Sequence, residues 1–139
     1  MLRYLLDTNI VSEFMQQSPP KWALAALQSH TQEVAISAIT WHELNYGVQL
    51  IAATPKGRRL RGILDDMRHL AVPCLPYDDR AAQWHGVQRA RLELLGKTPS
   101  YADGQMAAIA CVNNLTVVTR NVKDFKPFEG LKVENWQSN

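Results

Sequence analysis

Short apolar runs alternate with stretches of helical spacing along the whole chain. The first run, residues 2–6, suits a buried strand and carries Asp7 at its C-terminal end. Thr8 or Asn9 then suits the cap of a short helix through Phe14. "QQSPP" breaks the pattern, and Lys21 to His30 is helical again. "EVAIS" is a second β-capable run, after which Ser37 or Thr40 opens a helix to about Ala53. Trp41, Leu44, Val48 and Ile51 share one face of that helix. Pro55-Lys56-Gly57 reads as a loop before a basic helix to about Leu70. "AVPCLPYD" is a third strand or extended segment whose prolines favour an edge. Asp78 or Asp79 caps a long helix with Ala81, Trp84, Val87 and Leu94 at helical spacing, and Gly96 stops it. "TPSYAD" leads into an Ala-rich helix from 103 to about 113, ended by Asn113-Asn114. "LTVVT" is the clearest central strand; a "RNVKDF" turn and a last strand, "LKVEN", follow.

Strands separated by helices predict an α/β fold with a mainly parallel sheet and helices on both faces. In such sheets, sites lie beyond the C-terminal strand ends, where Asp7 and the residues after "LTVVT" fall. With no repeat and no long linker, the 139 residues read as a single domain, 1–139. Hydrophobic residues at 46% and charged ones at 20% suit a soluble globular chain. No run approaches the roughly 20 apolar residues of a membrane helix, and the N-terminus lacks signal-peptide character. Cys74 and Cys111 form neither a metal spacing nor a disulfide framework, so a reducing cytoplasm is expected.

Acids stand at the places that topology can bring together. Asp7 ends the first strand, Glu43 lies early in the helix after the second, and Asp103 begins the Ala-rich helix. Asn121 and Asp124 follow "LTVVT". Each has an ordinary alternative: Asp7 as a helix cap, Glu43 as a solvated side chain, Asp103 as a partner of the helix dipole, Asp124 as a turn residue. Gathered at one sheet edge, however, several carboxylates repel one another unless a cation compensates them. For an all-oxygen set that cation is Mg²⁺, or Mn²⁺, and its chemistry suits phosphodiester cleavage.

"LLDTNIVSE", "SAITWHELNYGV", "YADGQMAAIA" and "VVTRNVKDF" occur in that order. In them the chain resembles the PIN-domain ribonucleases, above all the VapC/FitB type of bacterial toxin from toxin–antitoxin pairs. The resemblance implies an αβα sandwich with a five-stranded parallel sheet and Mg²⁺-dependent endonucleolytic cleavage of RNA. It implies that Asp7, Glu43 and Asp103 hold the ion for attack by a metal-activated water. Thr119 then supports the site, and Thr8 and Asn9 orient Asp7. A fourth family acid is replaced by Asn121, with Asp124 three residues on as a substitute charge. Structured RNA, tRNA first, is the implied substrate. A small cognate antitoxin covering the acids and a homodimer are the implied partners. A catalytically silent PIN-fold module that only binds RNA or protein is the alternative, kept open by Asn121. A haloacid-dehalogenase-type phosphatase is disfavoured, since it needs a second Asp where Asn9 stands.

Charge adds candidates for RNA contact. Between Lys56 and Lys97 there are nine Lys/Arg against five Asp/Glu, within a net charge of +2. "KGRRLRG" gathers Lys56, Arg58, Arg59 and Arg61, either along an RNA backbone or as a solvated helix start. Arg120 and Lys123 flank the inferred site. Trp41 and Trp84 keep core spacing, whereas Trp22 and Tyr46 suit a protein interface.

Overall fold

Strands joined each time through a helix favour a parallel sheet, and this chain builds one. The computed structural model describes residues 1–137. The first half runs β1 (Tyr4–Leu6), α1 (Thr8–Phe14), α2 (Lys21–His30), β2 (Val34–Ser37), α3 (Ala38–Leu50) and α4 (Pro55–His69). The second runs β3 (Cys74–Leu75), α5 (Asp79–Leu94), α6 (Tyr101–Val112), β4 (Thr116–Val118), α7 (Val122–Phe125) and β5 (Val133–Glu134). The strands pair in the order β3-β2-β1-β4-β5, every pair parallel. β1 is therefore central, β4 interior beside it, and the proline-flanked β3 an edge, where a missing N–H costs least.

Alternation along the strands divides the core into two layers. Leu5 and Val117 face a cluster with Ala81, Leu92, Ile109 and Phe125, from α5, α6 and α7. Tyr4, Leu6 and Val118 face the other, with Ile10, Leu44, Val48 and Leu64, from α1, α3 and α4. The αβα sandwich follows. Helix starts are fixed by side-chain oxygens: Ser37 accepts the Thr40 N–H, Asp78 that of Ala81 and Ser100 that of Asp103. Gly96, at φ +72°, turns the chain out of α5.

Four expectations need correction. Neither Thr8 nor Asn9 caps α1; Asp7 does, through the Thr8 N–H. Pro55-Lys56-Gly57 is not a loop but the first turn of α4, with Thr54 as cap and Pro55 where its missing N–H is harmless. "VKDF" forms a helical turn. In α5, Val87 and Leu94 are exposed, and the buried face is Ala81, His85, Gln88 and Leu92. Its polar members are satisfied: His85 Nδ1 meets the Tyr77 hydroxyl at 2.8 Å, and Gln88 Oε1 accepts from Arg91 and the Glu129 N–H.

Candidate active site

The strand order reverses between β1 and β4, and the two residues leaving these strands are Asp7 and Thr119. Such a switch point opens a crevice that side chains alone can fill. Asp7 is buried there, and both its oxygens are engaged. Oδ1 accepts the Thr8 N–H at 2.7 Å, and Oδ2 accepts the Thr119 hydroxyl at 2.8 Å. Thr119, fully buried, is fixed in turn by the Asn121 N–H at 3.0 Å. A carboxylate oxygen offers two lone pairs, so capping α1 leaves acceptor capacity on both atoms. Burial raises the Asp7 carboxyl above its usual range, against the two hydrogen bonds, and the charges of Glu43 and Asp124 push the same way.

The other acids reach this point from helix starts. Ser37 sets the first turn of α3, and Glu43 follows two turns in, its Oε1 accepting the Thr8 hydroxyl at 2.5 Å. The same Thr8 oxygen lies 3.0 Å from the Thr40 hydroxyl, so β1's exit and α3 are tied together. Asp103 sits half-buried in the first turn of α6 with its N–H on Ser100 Oγ. Its carboxyl is raised by burial first, then by Asp7, Asp124 and Glu43. Four carboxylates thus share one electrostatic field, two of them resisting ionisation.

A cation would relieve that field. The donor set is all oxygen, without His or Cys, which suits Mg²⁺ or Mn²⁺. Among the described residues no three His, Cys, Asp or Glu side chains close around one point.

The remaining predicted residues separate. Asn9 is half-buried, and its buried Oδ1 has no partner among the described residues. Asn121 contributes its backbone N–H and is itself exposed. Arg120 is held by Glu13 at 2.8 Å, which offsets its charge. Of the basic cluster, Lys56 and Arg59 line a cleft with Thr8 and Glu43. Arg58 and Arg61 turn onto the Ala53 carbonyl and Asn45 Oδ1. Lys123 lines a hollow with Asp103 and Asp124. Trp41 and Trp84 pack against the core, and so does Trp22.

One supporting contact escapes a reading by composition. His85 lies buried beneath α6, and a Cβ on Gly104 would stand 2.2 Å from its Nε2. That contact fixes the helix turn carrying Asp103. The only signal for it is a glycine inside an Ala-rich helix, where it costs stability unless packing requires it. Gly104→Ala is expected to destabilise the chain by about 1–3 kcal/mol in denaturant unfolding. Wild-type stability in that variant would mean the ring moves freely.

The model of the PIN domain matches residues 4–129. The chain belongs to the PIN-domain family. This PIN chain is 32% identical over 136 residues to a Salmonella typhimurium protein named tRNA(fMet)-specific endonuclease VapC, covering 98% of this chain and 99% of that one. It is 36% identical over 124 residues to toxin FitB of Neisseria gonorrhoeae, 87% and 89% of the two chains. The crystal structure of FitAcB from that organism superposes with a TM-score of 0.87 at 33% identity, over 98% and 99% of the chains. A toxin–antitoxin complex from Klebsiella pneumoniae gives 0.69 at 26% identity, over 96% and 97%. The PIN family, the VapC/FitB likeness and the parallel five-stranded αβα fold are thus as expected, and the chain stands among nucleases.

Proposed function

We propose that the chain is a divalent-cation-dependent endoribonuclease and the toxin of a toxin–antitoxin pair, acting on structured RNA with tRNA as first substrate. The observation that carries this reading is Asp7 buried at the switch point of a PIN sheet and held there by Thr119 and the Thr8 N–H, with the carboxylates of Glu43, Asp103 and Asp124 gathered around it. Asp7, Glu43 and Asp103 would hold the ion, Mg²⁺ or Mn²⁺, with Asp124 and Asn121 beside them. A bound ion supplies phosphate orientation and offsets the charge that develops as a phosphodiester opens.

The chain's own groups prepare for that. Thr119 and the Thr8 N–H hold the Asp7 carboxylate, the Thr8 hydroxyl holds Glu43, and Ser100 sets the turn carrying Asp103. Lys56 and Arg59 stand on the Glu43 side and Lys123 on the Asp103 side. An RNA backbone crossing the acids meets cations before and after them. The role as toxin rests on the relatives' names, as does tRNA. With that role come a small antitoxin over the acids, a homodimer and a cytoplasmic setting. No described helix is long and apolar enough to cross a membrane.

Purified chain freed of any antitoxin, incubated with tRNA in Mg²⁺ or Mn²⁺, is expected to give discrete fragments that EDTA abolishes. If tRNA and a broad RNA pool both survive in either metal, the reading falls. A PIN-fold binding module without turnover would then account for the acids.

A further inference from the structure

Beside Glu43, α3 and α6 line an open hollow of about 600 Å³. Glu43 forms one wall, so the hollow opens directly onto the acidic site. Three rings line much of the rest, His42 and Tyr46 from α3 and Tyr101 from α6, with Ile39, Ala102 and Gln105 completing it. Tyr46 is 62% exposed and Tyr101 53%, large fractions for rings that contribute nothing to either core layer.

Their arrangement is ordered. His42 and Tyr46, one helical turn apart, hold their rings parallel to within 4°, with centroids 6.4 Å apart. Tyr101 rests edge-on against the buried His85 at 4.9 Å, and the Arg89 guanidinium stands 5.2 Å from its ring centroid. Three exposed rings thus line the hollow, with a cation over one of them. Single-stranded RNA is recognised on such surfaces, where unstacked bases lie on aromatic faces and guanidinium planes.

We propose that this hollow is a nucleobase subsite, in which His42, Tyr46 and Tyr101 take the splayed base of a nucleotide adjoining the scissile phosphate. The proposal rests on the nuclease reading and names a determinant of its substrate. Placement supports it: His42 precedes Glu43, and Tyr101 lies two residues before Asp103, so both walls continue into the acids. Gln105 carries an amide donor and acceptor able to meet a base edge. Arg89 supplies positive charge on the rim, which a polyanion requires and an apolar protein face does not.

The test uses the full chain and needs no turnover, so its failure is separable from failure of the nuclease reading. The ring resonances of His42, Tyr46 and Tyr101 are followed by NMR as 5′-AMP, 5′-UMP or ribose 5-phosphate is added. The nucleotides are expected to shift all three rings, and ribose 5-phosphate, lacking a base, to leave them in place. Tyr46→Ala should weaken nucleotide binding by about five- to a hundredfold, and Tyr46→Phe should restore it. Equal responses to the base-free sugar phosphate, or unchanged affinity in Tyr46→Ala, would overturn the proposal. So would rings silent to nucleotide combined with an altered oligomeric state in Tyr46→Ala, which would assign the platform to a second copy of the chain.

Discussion

Asp7→Asn is expected to lower RNA cleavage on the order of 10²–10³-fold while raising the melting temperature of the metal-free chain. The geometry survives the change. Asn still accepts the Thr8 N–H, and its amide can donate to Thr119 Oγ1, which has a second lone pair beside the one given to Asn121. What disappears is a buried negative charge among other acids. That charge is costly for folding and required for binding a cation, so function and stability move in opposite directions.

The pH dependence gives the sign independently. The folded Asp7 and Asp103 carboxyls titrate above their unfolded range, principally through burial. The stability each contributes is complete below about pH 3.9 and is lost as pH rises through the folded value. At neutral pH both acids are therefore a net cost. The His85 imidazole acts oppositely: burial, with Arg89 adding, lowers it, so its protonation in the unfolded chain costs stability as pH falls below about 6.5. The difference between wild type and Asp7→Asn isolates Asp7 from this background. That difference should grow as pH rises above about 3.9, level off once pH passes the folded value, and reverse on adding Mg²⁺, which stabilises only the wild type. Equal melting temperatures at neutral pH and equal Mg²⁺ responses would remove Asp7 from any ion site.

The strand ends were legible because β1 and β4 are short apolar runs cut off by Asp7 and by Thr119-Arg120, and a parallel sheet sends both ends to one edge. The helix starts at Ser37 or Thr40 and at Asp78 or Asp79 are legible for a local reason, a side-chain oxygen ahead of the first free N–H groups, and the structure takes Ser37 and Asp78. Pairings across long sequence separations are not legible. Arg120 stands beside the site in sequence, yet Glu13, 107 residues away, holds it. The four cations of "KGRRLRG" are equivalent in composition, but helix geometry sends Lys56 and Arg59 to the cleft, Arg59 onto the Met15 carbonyl there, while Arg58 turns onto the Ala53 carbonyl and Arg61 onto Asn45 within α3. In α5, periodicity counted apolar residues, while the buried face includes His85 and Gln88 because Tyr77, Arg91 and Glu129 satisfy them. Polar satisfaction is a tertiary property, and no window along the chain contains it.

Gly57→Ala is expected to be the most damaging single-methyl change in the chain. Pro and Gly close together suggested a loop, but here they serve a tight corner between α3 and α4. Gly57 is the third residue of α4, its N–H on Thr54 Oγ1 at 3.0 Å. A Cβ there would stand 1.9 Å from the Ile51 carbonyl oxygen and 2.6 Å from its carbon. This neighbour cannot rotate away as a side chain would. The same carbonyl accepts the Thr54 N–H at 3.0 Å and the Thr54 hydroxyl at 2.7 Å, so moving it breaks the cap. Overpacking of this kind should cost on the order of 3 kcal/mol, or about 10 °C in melting temperature. Gly62→Ala, on an exposed position of the same helix with nothing within 4 Å, should instead stabilise by about 0.5–1 kcal/mol, the ordinary gain of Ala over Gly in a helix. The contrast separates a packing requirement from a helix propensity. If both variants melt together, the corner is more pliable than its hydrogen bonds imply. If they diverge as expected, Lys56 and Arg59 owe their place beside Glu43 to a glycine that carries no charge and touches no ligand.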